Sequence, residues 1–147
     1  MDKPRPYLTA ALLCEKVLQE KDEGITIVRV IDKLQYRLQA IGELPLPVGT
    51  KPIVAIEGFI GIKSGPITGD HTVKVVVERP NGDRKDVFTF PVKLLGKDQG
   101  QNIVMKMGLG IDMDGLFWFD VLFDDEVLTR IPLVVMPLPE PEPQAKT

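Results

Sequence analysis

The stretch Gly115-Leu116-Phe117-Trp118-Phe119-Asp120-Val121-Leu122-Phe123-Asp124-Asp125-Glu126-Val127-Leu128-Thr129-Arg130-Ile131-Pro132-Leu133-Val134-Val135 reads as two strands joined by an acidic turn. Successive side chains of a strand point to opposite faces, so Phe117, Phe119, Val121 and Phe123 share one face, as do Val127, Thr129, Ile131, Leu133 and Val135 on the partner. These two sets form the expected core side. Pairing Phe123 with Val127 leaves Asp124, Asp125 and Glu126 as a three-residue loop. It also sets Phe119 opposite Ile131, Phe117 opposite Leu133 and Asp120 opposite Arg130. A one-residue slip would drive Phe119 against Arg130, so hydrophobic parity and the opposite charges select the same register.

Outward from this hairpin, short runs of β-branched and aromatic residues recur between Gly, Pro, Asn and Asp. They place strands at Ile25–Asp32, Pro52–Ile62, Thr72–Glu78, Lys85–Leu94 and Asn102–Met107. Such spacing without intervening helices predicts an all-β fold, an antiparallel β-sandwich of about seven to eight strands, immunoglobulin-like or related. Arg79-Pro80-Asn81-Gly82-Asp83 marks a second hairpin, in which Asn-Gly supplies the positive φ angles of a tight reversal. The N-terminal segment is open: Ala10, Leu13, Cys14, Val17 and Leu18 follow helical spacing behind a Thr9 cap, yet a strand fits equally well. Leu44-Pro45-Leu46-Pro47-Val48-Gly49 reads as a loop or an edge crossing. The alternating prolines and glutamates that follow Met136 read as polyproline II or disorder, giving one domain over 1–136 and a tail over 137–147.

A chain of 147 residues buries about 68–70% of its unfolded surface, so it builds a core without a metal or a disulfide. With 18 Lys and Arg against 21 Asp and Glu, its net charge of −3 has the wrong sign for a nucleic-acid partner. One Cys (Cys14) and one His (His71) exclude an internal disulfide and a zinc site of four Cys or His ligands. The single Ser (Ser64) and Cys14 each have only His71 as a base partner. The glycines complete neither a dinucleotide fingerprint nor a phosphate loop, and no cofactor is expected. Lys3 and Arg5 ahead of the apolar run to Cys14 resemble a lipoprotein signal, but bulky Leu13 occupies the cleavage position. No run approaches the roughly 20 apolar residues of a membrane span, and the lone Cys suits a reducing compartment, so the expected location is cytoplasmic.

Few residues offer chemistry. His71 closes the loop that begins at Ser64 and is expected to start a strand with its ring bonded to backbone. Asp112-Met113-Asp114-Gly115 matches the opening of a calcium loop but lacks the remaining ligands; it reads as a turn before a strand, with no metal. Arg84, Lys85, Lys93, Lys97 and Lys106 read as a solvated basic face. Trp118, Asp120 and Leu122 lie opposite the phenylalanine face, beside Arg130. Either a second layer covers that face, or Trp118 and Leu122 form an apolar patch for a partner. The candidate partner-binding residues are therefore Trp118, Asp120, Leu122, Arg130 and His71.

Ala11-Leu12-Leu13-Cys14-Glu15-Lys16-Val17, Gly69-Asp70-His71 and the closing hairpin resemble a family of small bacterial domains of unknown function. The likeness covers most of residues 8–135 and implies a bacterial cytosolic β-sandwich with no established activity. The expected function is a non-enzymatic domain that binds another protein. The alternative is a small-molecule or glycan site in the end loops Lys63–Asp70 and Gly108–Asp114. A further alternative is a hydrolase pairing His71 with Ser64, Cys14 or a carboxylate.

Overall fold

The structure is a computed structural model and describes residues 4–36, 53–97 and 99–138. Among these residues there are nine strands and no helix: β1 (Tyr7–Gln19), β2 (Ile25–Val30), β3 (Lys33–Tyr36), β4 (Ile53–Lys63), β5 (Thr68–Glu78), β6 (Arg84–Leu95), β7 (Gly100–Gly110), β8 (Gly115–Phe123) and β9 (Glu126–Pro137). They form a β-sandwich of a four-stranded sheet, order β2-β1-β4-β7, and a five-stranded sheet, order β3-β9-β8-β5-β6. Pairing is antiparallel apart from β3 with β9. The core lies between the sheets, where Leu13, Ile56, Ile60 and Met105 meet Val73, Val75, Phe117, Phe119, Val121 and Leu133.

The N-terminal segment is a strand, not a helix. β1 runs between β2 and β4 and carries apolar side chains on both faces: Leu8, Ala11 and Leu13 join the main core, while Ala10, Leu12, Cys14 and Val17 join a second cluster with Phe59. A strand packed on both faces is apolar almost continuously, so helical spacing within it has no diagnostic value. The strand expected at Ile25–Asp32 divides: Arg29 adopts φ 56°, Ile31 N–H donates to Leu13 C=O at 2.8 Å, and the chain crosses to the other sheet as β3. These two differences raise the strand number from the expected seven to eight to nine.

In the closing hairpin the expected pairs Phe117–Leu133, Phe119–Ile131 and Asp120–Arg130 form, but Phe123 pairs with Glu126 rather than Val127. The loop has two residues, Asp124 (φ 46°) and Asp125 (φ 68°), both left-handed as hairpin twist requires. An extra residue, Leu128, restores the register beyond it; Leu128 packs on the core and Val127 turns outward, 43% exposed. At the 79–83 hairpin only Gly82 (φ 92°) is left-handed, because Pro80 and Asn81 form the turn closed by Gly82 N–H to Arg79 C=O at 2.8 Å. Strand β9 continues one residue past the expected domain end at Met136, and Leu138 N–H donates to Tyr36 C=O at 2.7 Å. The Leu44–Gly49 stretch and the tail from 139 lie outside the described residues.

Candidate functional site

The outer face of the five-stranded sheet carries a closed ring of charges. Asp120 on β8 and Glu78 on β5 face Arg130 on β9 and Arg84 on β6. Arg130 Nε donates to Asp120 Oδ1 at 2.7 Å and its Nη2 to Glu78 Oε2 at 2.9 Å. Arg84 Nη1 donates to Glu78 Oε1 at 3.0 Å, and its Nη2 lies 3.0 Å from Asp120 Oδ2. Asp120 is buried, 2% exposed, beneath the two guanidinium groups. The Arg130 guanidinium carbon stands 4.5 Å from the Trp118 ring centroid, a cation–π stack on a half-buried indole. Hydrogen bonds to the carboxylates push both arginines further above their ordinary pKa, Glu78 contributing most for Arg84 and Asp120 most for Arg130.

The structure thus gathers Trp118, Asp120 and Arg130 and places half-buried Leu122 further along the same face, opposite Lys74. It does not bring His71 to them. His71 stacks on Phe123, with ring centroids 4.9 Å apart, five residues along β8 from Trp118, or roughly 17 Å at strand rise. Sequence reasoning missed Glu78 and treated Arg84 as a solvated cation, because both join the ring only through the adjacency of β5 and β8.

His71 occupies the end of the sandwich where β5 begins, and both of its ring nitrogens are engaged. Nδ1 lies 2.5 Å from Asp124 Oδ2, and Nε2 lies 2.8 Å from Thr68 C=O. Both partners are acceptors, which suits an imidazolium donating from each nitrogen. The Asp124 carboxylate first, and the Thr68 carbonyl second, raise the His71 pKa above its ordinary value. Asp124 Oδ1 also accepts Thr72 N–H at 3.0 Å, while Asp124 N–H donates to Thr72 C=O at 2.9 Å, so the left-handed tip is bound to β5. The expected backbone bond of His71 is present, and the carboxylate adds to it.

Of the groups considered as hydrolase partners, a carboxylate meets His71, but no nucleophile does. Ser64 is fully buried, with its hydroxyl on Gly65 C=O at 3.4 Å. Cys14 is fully buried in the four-stranded sheet, where burial and then the Glu57 charge raise its thiol pKa, away from a reactive thiolate.

The two loops expected to form one end site lie at opposite ends: β7 pairs Gly100 with Lys63 and Gly110 with Ile53. The Gly108–Asp112 side borders a cavity of about 300 Å³, lined by Val77, Arg79, Lys85, Val87, Leu109 and Phe117 among others. Arg79 forms an ion pair with Asp112 at its rim. Gly115 follows the turn at Asp112–Asp114 and opens β8: at φ 131° it lies against Pro80, whose Cγ would stand 2.9 Å from an added Cβ. Asp114 accepts the Tyr36 hydroxyl at 2.6 Å, so the two aspartates of the calcium-like motif have separate protein partners. Among the described residues no group of three metal-ligating side chains forms, and no helix is long and apolar enough to cross a membrane.

The fold and these sites define a β-sandwich domain. No protein-family model matches the chain, and no curated protein matches it in sequence. Among solved structures it is similar to a β-glucosidase from Listeria innocua, with a TM-score of 0.50 at 9% identity over 92% of this chain and 17% of that one. The same enzyme in complex with glucose gives 0.50 at 11% identity, over 88% and 16%. A β-glucosidase 3B from Thermotoga neapolitana gives 0.46 at 10% identity, over 58% and 15%. The chain spans about a sixth of the length of these enzymes, and the likeness to the Listeria enzyme is one of fold.

Proposed function

We propose that this chain is a non-enzymatic binding domain whose partner is another protein, docked on the outer face of the five-stranded sheet. The observation that carries the reading is Arg130 held by two carboxylates over Trp118. Trp and Arg are the side chains richest in interface energy, and here both are pre-positioned, so binding need not order them. The engagement of both His71 nitrogens supports a non-enzymatic role. The test compares wild type with Trp118→Ala in capture from a bacterial lysate, quantified by mass spectrometry, with circular dichroism as the folding control. The reading expects a reproducible partner whose retention falls at least about tenfold in the variant, as for a hot spot. Equal retention by both proteins, or no reproducible partner, would contradict it.

A second reading has its own observation. The cavity beside Gly108–Asp112 supports a small-molecule site at that end of the sandwich, although the matching glycan loop at Lys63–Asp70 is remote from it.

A further inference from the structure

Val87 is an extra residue on β6, and its insertion changes which way the strand end faces. Beyond it the β5–β6 register shifts by one, so Lys85 pairs with Val77 and shares the inward face of that core residue. Lys85 there borders the cavity, whose walls include Val77, Val87, Leu109 and Phe117. Among the described residues Lys85 has no ion-pair partner, whereas Arg79 at the same rim is held by Asp112. Of the charged side chains that line the cavity, Arg79 and Asp112 pair with each other, which leaves the Lys85 ammonium above an apolar floor.

We infer that this cavity binds a small amphipathic carboxylate, an acid with a single charge and a short aliphatic or one-ring body. The inference rests on the small-molecule reading of this end. The carboxylate pairs with the Lys85 ammonium, and the body lies against Val77, Leu109 and Phe117. At about 300 Å³ the space is at the bottom of the range that ligand sites occupy, which suits a short acid. A sugar, polar around its rim, would leave hydroxyls unpaired against these apolar walls. The competing explanation is that an inward lysine on an edge strand only discourages pairing with another chain.

The test is a two-dimensional amide NMR titration of the full chain with octanoate, octanol and D-glucose. It is repeated on Lys85→Glu, which inverts the charge, and on Val87→Trp, which fills the mouth. The inference expects saturable octanoate shifts at Val77, Lys85, Leu109 and Phe117 with Kd below about 1 mM. Octanol should bind at least about tenfold more weakly, Lys85→Glu should weaken octanoate by a similar factor without altering octanol, and Val87→Trp should remove both. Equal affinity for octanoate and octanol, or octanoate binding unchanged in Lys85→Glu, would overturn carboxylate recognition and leave a small-molecule site standing. Shifts at this end with D-glucose alone would overturn the ligand class and keep the reading. Silence of all three ligands there would end both, and Lys85 would be an edge-strand guard.

Discussion

The two ends of strand β5 are built on opposite terms. Where it begins, Asp124 bonds to both His71 and Thr72, Ser64 is sealed, and two left-handed aspartates close the neighbouring hairpin. Where it ends, the tip reverses through Pro80, Asn81 and a left-handed Gly82, and a cavity bordered by Lys85 remains beneath it. The one histidine and the one serine are thus held at the filled end, and the cavity lies at the other. That separation keeps His71 away from the cavity, and a base acts only within hydrogen-bond reach of its substrate.

The contrast can be broken most severely at the open end. Phe117 is 1% exposed and serves both the core and the cavity wall. Phe117→Ala should cost about 3–5 kcal/mol by joining a new void to the existing one. Chemical denaturation measures this, and a loss under about 1 kcal/mol would mean that the surrounding walls collapse inward.

At the filled end, Asp124→Ala removes the partner of His71 and of Thr72 N–H from a left-handed position. Bonds to charged groups contribute about 1.5–3 kcal/mol, and the lower end applies because 43% of the Asp124 side chain faces solvent. Unchanged stability in the same denaturation assay would show that the tip holds itself.

The His71 interaction has a defined pH window. Its folded pKa is raised above an unfolded value of about 6.5, so its stabilisation is complete below that value and is lost as pH rises through the folded pKa. Thermal melts from about pH 6 to 8.5 should fall across this window in wild type and flatten in His71→Asn. Parallel profiles would place the titrating group elsewhere.

The smallest effects compare the two tips directly. Gly82 has open space around an added Cβ, so Gly82→Ala should cost about 1 kcal/mol through backbone conformation alone. Asp125 is left-handed with its side chain 86% exposed, so Asp125→Gly should gain about 0.5 kcal/mol. If both changes shift the melting temperature in the same direction, the conformational account of the tips fails.

The legibility of these features in the sequence follows from their physical range. Register in the closing hairpin could be read because the phenylalanine face and the Asp120–Arg130 pair demand the same parity. Its tip could not, since the two left-handed aspartates are held by His71 and Thr72 from a distant strand. The Asp120–Arg130 contact was visible along one hairpin, whereas Glu78 and Arg84 required the non-sequential neighbours β5 and β8. The inward turn of Lys85 follows from the bulge at Val87, for which the local sequence holds no distinctive residue. Strand β1 was ambiguous because it is packed on both faces.

The central claim is that His71 is a structural imidazolium bonded through both ring nitrogens, to Asp124 and to Thr68. Because the chain has one histidine, a nitrogen-detected NMR titration of its ring is unambiguous. The account predicts a midpoint above about 6.5 that drops in Asp124→Asn, with protons on both nitrogens below the wild-type midpoint. A midpoint at or below that value, insensitive to Asp124→Asn, would leave His71 a neutral ring available as a base and contradict the claim.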